Sequence, residues 1–554
     1  MLSLLLRLRI LPMNFKLFQP MRAEWLALVV ALLLVVCFNL PFWGRLYAIV
    51  SPLDGHGVKM LGLAFLLLTA FFSLLLQLLV WPWLGKPLLT VLLLTTAGVT
   101  YFMSQYGVLI DMNMVRNAMQ TDGAEVRDLI TLKMVLTVLL LGGLPSLWLW
   151  KTPVSYRAPL RELGVRGVAL LVSAGVLVAV AMAGYQDFAS LFRNNRELRF
   201  ALTPTNYLQA TSSYLKRAYA KPMPLQKVGE DAARSGAWPA GSKPRVLVLV
   251  VGETARADHF SLNGYARPTN PQLAKVAGLV NYGDAWSCGT ETAISVPCMF
   301  SSLPREQFDA EQAKHRENLL DILQRTGISV YWRDNNSGCK EVCNRVPSDM
   351  VFGDKNPAWC ADGECFDDIL LEGLPQRLKT LKGDAVIVLH QKGSHGPAYY
   401  KRYPKQYERF TPVCRTSELQ KCSRQDIINA FDNTILYTDA ILAKTIAALQ
   451  AEPAVASSLI YLSDHGESLG ENNMYLHATS YLLAPDAQKH IPMLAWFSPD
   501  WLQASVMQPA CLQQGSKQKV SQDNLFHSVL GVMGVKTSVY DKSLDIYAAC
   551  RPAH

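Results

Sequence analysis

The sequence is poor in charged residues for its length. Only 18% of its 554 residues are Asp, Glu, Lys or Arg, whereas a soluble globular chain carries about 25%. The chain is also longer than one ordinary domain, which holds roughly 100–200 residues. These two observations exclude a single soluble domain. A net charge of +9 suits a nucleic acid or an anionic membrane as partner, and the distribution of residues along the chain decides between them.

The apolar residues are concentrated before residue 185. Five stretches there are long enough to cross a bilayer, which needs about 20 apolar residues: roughly 24–43, 58–80, 87–106, 134–150 and 167–184. A buried helical core is disfavoured, because too little polar surface remains to cover so many apolar runs. We therefore predict an α-helical five-helix transmembrane domain over 24–184, after a cytoplasmic N-terminus over 1–23.

Basic residues give the orientation of these crossings. The N-terminal flank and the two flanks on its side of the membrane carry nine Lys and Arg, and the opposite flanks carry three. By the positive-inside rule the N-terminus is cytoplasmic, and five crossings place the chain after about residue 185 on the far side. Residues 1–23 lack a small-x-small cleavage site, so we expect an uncleaved signal-anchor, with Met13 as an alternative start. The +9 charge then needs no nucleic acid.

Cysteine is nearly absent from the first half of the chain. After Cys37 there is no cysteine before residue 288, and the other ten cysteines all lie from residue 288 onward. An even number confined to the exported part predicts disulfides in an oxidising compartment, whereas the spacing of residues 339, 343, 360 and 365 also suits a zinc site. We expect sequence neighbours to pair: Cys288–Cys298, Cys339–Cys343, Cys360–Cys365, Cys414–Cys422 and Cys511–Cys550.

The chain after residue 185 divides into a bridge and a soluble domain. Residues 185–243 mix aromatic and basic residues with a Pro- and Gly-rich stretch, which predicts interfacial helices followed by a linker. From 244 to 554, short apolar β-rich runs alternate with helical stretches. This alternation predicts a periplasmic α/β domain with a mainly parallel central sheet.

Metal-type ligands follow three of the predicted strands. Glu253 follows the run 245–251, His395 lies just beyond 385–389, and Asp464 and His465 follow 458–463. Ligands in open α/β sheets bind at the carboxyl ends of strands, so we expect these side chains to converge. Taken singly, each is equally typical of a helix cap or a polar loop. Carboxylate and imidazole ligands suit Zn²⁺, with Mn²⁺ as an alternative.

Thr292 is the candidate nucleophile. It lies in the segment CGTETAISVPC, between Cys288 and Cys298. A divalent metal lowers the pKa of a coordinated hydroxyl, and a helix beginning at Thr292 would direct backbone N–H groups at an anion. Without the metal ligands, a simple helix N-cap would be the favoured interpretation.

Five segments together resemble a known family. They are VGETARADHF (251–260), CGTETAISVPCMF (288–300), WRDNNSGCK (332–340), HQKGSHGP (390–397) and SDHGESLGEN (463–472). Their combination is similar to the phosphoethanolamine transferases of the alkaline phosphatase/sulfatase superfamily, and most of all to the lipid A transferases that confer polymyxin resistance. The resemblance covers essentially the whole chain.

The resemblance implies roles for individual residues. Zinc would be held at one tight site, with a possible second, and Thr292 would be both nucleophile and ligand. The metal ligands would be Glu253, Thr292, Asp464 and His465. Catalytic and substrate-binding roles would fall to His395, His477 and Lys340, and further substrate contacts to Asn336, Ser337, Asn117, Thr121 and Glu125.

Two features of these residues stand out in the sequence. Asn117, Thr121 and Glu125 are spaced four apart, which predicts one helical face. Lys340 directly follows Cys339, so a disulfide would tether it, and we do not carry over its detailed role.

The expected reaction moves phosphoethanolamine from phosphatidylethanolamine to a phosphate of lipid A through a covalent threonine intermediate. We expect a monomer in the bacterial inner membrane. The main alternative is a related transferase with another acceptor, such as the lipopolysaccharide core, a periplasmic glucan or a protein. A lipoteichoic-acid-type glycerophosphate polymerase fits the zinc-type motifs less well. A sulfatase needs a Cys/Ser-x-Pro-x-Arg segment that the Thr292 loop lacks, and an inactive sensor would not be expected to retain every metal-type residue.

Overall fold

The protein is described from a computed structural model. The described residues are 19–51, 54–121, 123–195, 198–219, 224–236, 238–239, 241–351, 356–361 and 363–551. Most of the predicted cytoplasmic N-terminus, including Met13, lies outside them. The chain forms two compact units. One runs to Ser104 and resumes over Leu132–Asn206, and the other comprises Gln105–Thr131 and the chain from Tyr207 onward. The domain boundaries at 184 and 243 stay predictions.

Among the described residues, four helices are long and apolar enough to cross a membrane. Their bounds are Gly55–Leu79, Gly85–Tyr106, Leu132–Lys151 and Pro159–Ala183. They correspond to the last four predicted crossings. The third contains a π-helical turn over Val138–Gly143, at the position of the Gly-Gly-Leu-Pro sequence.

The first predicted crossing is not one straight helix. The segments Ala23–Phe38 and Leu40–Val50 meet at an angle of 63°, so a count of five crossings requires this bent pair to be one span. Pro41 follows the break and cannot continue a helical hydrogen-bond ladder. Asn39, which is fully buried, occupies the break and donates through Nδ2 to Leu34 O (2.9 Å) and Thr203 O (2.8 Å).

Shorter elements complete this region of the sequence. Two-residue strands at Met21–Arg22 and Val154–Ser155 pair in parallel. The short helices are Met112–Gln120, Gly123–Leu129, Tyr185–Asn194, Leu198–Ala201 and Thr205–Ala218. The predicted linker also contains Ala233–Arg234, which pairs antiparallel with Val535–Lys536.

An eight-stranded sheet organises the second unit. In chain order its strands are β1 Arg245–Gly252, β2 Val280–Trp286, β3 Ser329–Asp334, β4 Ser348–Met350, β5 Ala385–His390, β6 Ala456–Ser463, β7 His490–Phe497 and β8 Val520–Ser521. Their spatial order is β8-β2-β7-β6-β1-β5-β3-β4. All pairs are parallel except those that β7 makes with β6 and β2, which confirms the predicted mainly parallel sheet.

Helices cover both faces of this sheet. They are Thr292–Met299, Ala310–Ala313, Leu319–Arg325, Leu374–Thr380, Arg424–Gln450, Pro499–Ser505, Pro509–Gly515 and Asp523–Val532. Alternate residues of β1 enter two separate cores, with Leu247 and Leu249 in one and Val246 and Val248 in the other. A strand buried on both faces reads as a continuous apolar run, which is the pattern that revealed β1 in the sequence.

The ten cysteines of the second unit form five disulfides, and each pairing is the predicted one. They are Cys288–Cys298, Cys339–Cys343, Cys360–Cys365, Cys414–Cys422 and Cys511–Cys550. The alternative of a thiolate zinc site at residues 339, 343, 360 and 365 is therefore wrong.

Two further two-stranded sheets pair Cys360–Ala361 with Glu364–Cys365 and Ser468–Leu469 with Tyr475–Leu476.

Candidate metal centre and active site

Two neighbouring strand ends bring three metal-type ligands together. β1 and β6 are parallel, with Gly252 opposite Ser463, so Glu253 and Asp464 leave the sheet at the same edge. His465 Nε2 lies 3.4 Å from Glu253 Oε1 and 3.3 Å from Asp464 Oδ2. The sequence predicted this convergence for these three residues, over more than 200 residues of chain, whereas His395, which was predicted to join them, is not part of the cluster.

Thr292 joins this cluster through its hydroxyl. It is the first residue of the helix Thr292–Met299, as predicted, and Glu291 occupies the N-cap position. The Thr292 Oγ1 donates to Glu253 Oε2 (3.0 Å) and lies 3.4 Å from His465 Nε2. The hydroxyl therefore faces the cluster instead of capping its helix.

Burial disfavours the charged forms of all three residues of the cluster. Burial, reinforced by Asp464, raises the pKa of Glu253, and burial likewise raises the pKa of Asp464. Burial and the nearby His477 lower the pKa of His465 to about 3, so its ring is neutral. His465 Nδ1 lies 2.9 Å from Gly466 O. A carbonyl only accepts, so Nδ1 carries the proton and the Nε2 lone pair faces the carboxylates.

The residues present fit a metal ion. The described part of the chain provides no hydrogen-bond donor for Glu253 Oε1 or Asp464 Oδ2, although both atoms are buried. Leaving such atoms unpaired is costly, and a divalent cation would satisfy both. Carboxylate and imidazole donors without thiolate suit Zn²⁺. Gly466 allows the tight turn after His465, because a Cβ there would lie 2.1 Å from Ala487 O.

Asn336 is more deeply buried than a residue whose only role is to contact the substrate would need to be. It is 2% exposed, and its Nδ2 lies 2.5 Å from Glu253 Oε2 and 3.3 Å from His390 Nε2. Its amide group therefore donates to a candidate metal ligand. The sequence predicted Asn336 at the phosphoethanolamine group, and that role stays a prediction.

A His–Asp pair behind Asn336 was not identified from the sequence. His390 Nδ1 lies 2.8 Å from Asp334 Oδ2, and both side chains are fully buried. Although burial opposes it, the Asp334 carboxylate raises the pKa of His390, and the Nε2 atom of the ring faces the Asn336 amide. His390 and Asp334 are the last residues of neighbouring parallel strands and lie opposite each other. The same strand-end reasoning that found Glu253 would have found this pair.

Gln522 is the second element that sequence reasoning missed. Its Oε1 accepts from Cys288 N (2.8 Å), while Nε2 donates to Ser463 O (2.9 Å) and Asp464 O (2.7 Å). One buried amide thus ties the threonine loop to the aspartate loop. A lone glutamine before a helix carries no sequence signal for this role.

His395 and His477 lie beside the cluster, as predicted. The ring of His477 is centred 4.4 Å from that of His465 and 5.9 Å from that of His395. His477 Nδ1 lies 3.3 Å from Glu467 Oε1. Burial, together with the cationic Lys392, lowers the pKa of His395 well below its usual range. These imidazoles are suitable proton carriers and phosphate ligands.

Ser337 and Lys340 follow Asn336 in one loop. Lys340 Nζ donates to Ser337 Oγ (2.8 Å) and Ser337 O (3.2 Å). Lys340 has a φ of 50°, a left-handed backbone conformation rare for a residue with a side chain. The Cys339–Cys343 disulfide brackets it, so the expected tether is present.

The three residues predicted to share one helical face do not share one. The helix Met112–Gln120 ends before Thr121, whose ψ of 132° is extended, and a separate helix begins at Gly123. Thr121 Oγ1 instead donates to Asn117 O (2.9 Å). The described contacts of Asn117 and Thr121 do not reach Thr292, and the Glu125 side chain lies outside the described part of the chain. The prediction was wrong because it extended a helical period past Gln120, where the helix ends.

Comparisons with known proteins agree with this arrangement. Residues 245–535 match the family described as Sulfatase, and residues 68–219 match the family described as Phosphoethanolamine transferase EptA/EptB. Phosphoethanolamine transferase EptA of Escherichia coli (strain K12) is 43% identical over 533 residues, covering 95% of this chain and 96% of the relative. The chain belongs to the phosphoethanolamine transferase family. The predicted family, fold and enzyme class are confirmed.

Two further relatives are similar to this phosphoethanolamine transferase over most of its length. Phosphatidylethanolamine transferase Mcr-1 of Escherichia coli is 39% identical over 482 residues, with 84% of this chain and 88% of the relative covered. The solved integral membrane protein lipooligosaccharide phosphoethanolamine transferase A of Neisseria meningitidis is 38% identical. It matches with a TM-score of 0.93 over 97% of this chain and all of that one.

Proposed function

We propose that this transferase moves phosphoethanolamine from phosphatidylethanolamine to a phosphate group of lipid A, with Thr292 carrying the group in between. The observation that carries the proposal is the buried Thr292 hydroxyl, 3.0 Å from Glu253 and 3.4 Å from His465. The donor is supported by the name of the 39% identical relative, and the acceptor class by that of the Neisseria protein.

Glu253, Asp464, His465 and the Thr292 hydroxyl would hold one zinc ion. When bound, zinc lowers the pKa of the hydroxyl and neutralises charge on phosphoryl oxygens. A second ion stays a possibility that His395 and His477 are placed to serve. All other parts of the reaction fall to the side chains themselves.

In the first step Thr292 Oγ forms a bond to the phosphorus of the donor, and the bond between that phosphorus and the diacylglycerol oxygen breaks. Glu253 accepts the hydroxyl proton along the existing hydrogen bond. His477, whose ring centre lies 4.4 Å from that of His465, donates a proton to the departing oxygen. The ester between Thr292 and phosphoethanolamine remains in a site whose residues are buried, which limits attack by water.

In the second step a phosphate oxygen of the acceptor attacks the same phosphorus, and the bond to Thr292 Oγ breaks. The threonine takes back its proton from Glu253, and the proton that the acceptor phosphate loses returns to His477. The product lipid carries a new ammonium group, so its net negative charge falls. Cationic peptides such as polymyxin would then bind it less tightly, which is how we account for resistance.

We propose an inner-membrane protein with a cytoplasmic N-terminus and its catalytic domain, 244–554, in the periplasm. Both substrates are lipids of that membrane, which explains the membrane-spanning helices. Five disulfides support an oxidising compartment for the second unit.

The covalent step is tested by mass spectrometry of the purified full-length protein after incubation with donor alone. The wild type is expected to gain one phosphoethanolamine on Thr292, and Thr292→Ser is expected to retain the adduct because it keeps the hydroxyl. Thr292→Ala removes the nucleophile and should show none. An adduct in the alanine variant would refute the assignment.

The acceptor is tested separately in cells. Lipid A from cells expressing the protein is expected to gain one phosphoethanolamine in mass, and lipid A from the Thr292→Ala strain is not. A gain on core sugars, glucans or a protein, with lipid A unchanged, would replace lipid A by that acceptor.

A further inference from the structure

Two adjacent leucines are exposed on the loop that follows His477. Leu482 is 88% exposed and Leu483 is 38% exposed. Among the described residues from 244 onward, Val506 is the one other large apolar side chain that is exposed. Single exposed apolar residues are ordinary on protein surfaces. An adjacent pair on one turn, however, gains free energy from a partner that removes it from water.

The turn that carries this leucine pair has a defined conformation. Leu483 N and Ala484 N both donate to Ser480 O, at 2.8 and 2.9 Å. At the base of the loop, the buried Gln488 accepts through Oε1 from Thr479 N (3.2 Å). The exposed pair therefore lies on a turn that is closed by its own backbone hydrogen bonds.

The same turn is bonded to the loop that carries Thr292. Thr290 Oγ1 donates to Thr479 O (2.6 Å). Tyr481, the residue directly before the leucine pair, donates through its hydroxyl to Ser287 O (3.0 Å). A partner that covers the leucine pair is therefore held at a fixed distance from the candidate nucleophile.

Two cationic side chains flank the turn. Arg305 lies 4.3 Å from the centre of the Tyr481 ring, and Lys489 lies 5.4 Å from it. Each also has a carboxylate beside it, Glu306 at 3.0 Å and Asp486 at 3.5 Å. An apolar tip bordered by Tyr, Arg and Lys is typical of a membrane interface, where these side chains lie at the level of the headgroups. The paired charges suit zwitterionic headgroups and create no requirement for an anionic lipid.

We propose that Leu482 and Leu483 insert into the surface of a phospholipid bilayer and hold Thr292 at the level of the lipid headgroups. The same chain contains helices long and apolar enough to cross a membrane, so a bilayer is the apolar phase to which this domain is tethered. The inference rests on the proposed function, in which both substrates are lipids whose phosphates have to reach Thr292. Because the contact is apolar and the flanking charges are paired, it should depend little on salt.

The kinetic test compares two donors, with the full-length zinc-loaded protein in phosphatidylcholine vesicles. One donor is phosphatidylethanolamine in the vesicle bilayer, and the other is its water-soluble dibutyryl analogue. The variant with both Leu482→Ser and Leu483→Ser is expected to form the Thr292 adduct about tenfold more slowly from the bilayer donor, as for the lost burial of one leucine side chain, and within about twofold of the wild-type rate from the soluble donor.

Val506→Ser is the matched control for the leucine variant. Val506 is 57% exposed and lies beyond β7, whose last residue Phe497 is opposite Ser458 near the start of β6, so it follows the strand end remote from Asp464. This variant should change neither rate. Equal losses of rate with both donors in the leucine variant would overturn the proposal, because they would show damage to the site and not to membrane contact.

Photocrosslinking tests the membrane contact without relying on catalysis. Leu482→p-benzoylphenylalanine in the full-length protein, irradiated in vesicles of phosphatidylcholine alone, is expected to yield a phospholipid crosslink at low and at high salt. Val506→p-benzoylphenylalanine is expected to yield none. No crosslink at position 482, a crosslink that requires added phosphatidylethanolamine, or capture of a protein in place of lipid in intact cells would overturn the proposal. A phosphatidylcholine crosslink in a protein that forms no Thr292 adduct would instead refute the proposed function and leave the membrane contact standing.

Discussion

Asn336 offers a sharp test of how the candidate metal centre is supported. Its Nδ2 donates to Glu253 Oε2 at 2.5 Å and lies 3.3 Å from His390 Nε2, and Asp334 contacts the other ring nitrogen of that histidine. Asn336→Ala removes both contacts and leaves Glu253 Oε2 with only the hydrogen bond from Thr292 Oγ1 among those described above. We expect the zinc affinity to fall while the protein still folds.

The magnitude follows from two independent estimates. A hydrogen bond to a charged group contributes about 1.5–3 kcal/mol. Loss of a group that orients a metal ligand lowers affinity by about 10–100-fold, which corresponds to about 1.4–2.8 kcal/mol. The two ranges agree, so we expect a 10–100-fold weaker zinc Kd, measured by competition with a chromophoric chelator.

Asn335→Ala is the matched control for this variant. Asn335 is equally buried, at 2% exposure, and its Nδ2 also makes two hydrogen bonds, to Cys365 O (3.0 Å) and Asp367 Oδ1 (2.8 Å). Both variants should lower the melting temperature in detergent by similar amounts. Only Asn336→Ala should weaken zinc binding strongly. Equal zinc affinities in the two variants would refute a positioning role for Asn336.

Two further changes probe the geometry of the site. Gly466→Ala places a Cβ 2.1 Å from Ala487 O, so the backbone next to His465 must shift. We expect the zinc content of the purified protein to fall sharply. A variant that is fully loaded with zinc and active would contradict this. Replacing Cys288 and Cys298 by serine opens a loop of sequence separation 10, and chain-entropy arguments give a loss of about 3 kcal/mol. A lower melting temperature with a lower transfer rate is expected, whereas an unchanged rate would show that the loop holds Thr292 without the bond.

The strand ends at the candidate site could be predicted because their strands are buried on both faces. β1, β5 and β6 each contain a short apolar run, and polar residues directly after neighbouring parallel strands lie at the same edge of the sheet. The disulfide pairings could be predicted because eight of the ten cysteines have a partner within ten residues. Cys511 and Cys550 are the two that remain, and they pair with each other. These inferences need only the local sequence pattern and the rule that ligands in α/β sheets bind at the carboxyl ends of the strands.

Other features depend on contacts that no local pattern encodes. The bend at Asn39 is stabilised by Thr203, which lies far along the chain. Because no local pattern shows this contact, the sequence predicted one continuous helix for the first crossing. The placement of Asn336 against Glu253 depends on the register between β3 and β5. The end of the helix at Gln120 could have been predicted from the Asp-Gly sequence that follows Thr121, but the regular spacing of polar residues obscured it.

The bridge made by Gln522 has a consequence for the time at which the enzyme becomes competent. Its amide joins Cys288 N to the carbonyls of Ser463 and Asp464, yet it follows all eight strands of the sheet in the chain. A growing chain that already contains Glu253, Thr292 and His465 still lacks the clamp between their loops. The candidate centre is therefore completed only after Gln522 has been synthesised, when every strand that supports it is already present.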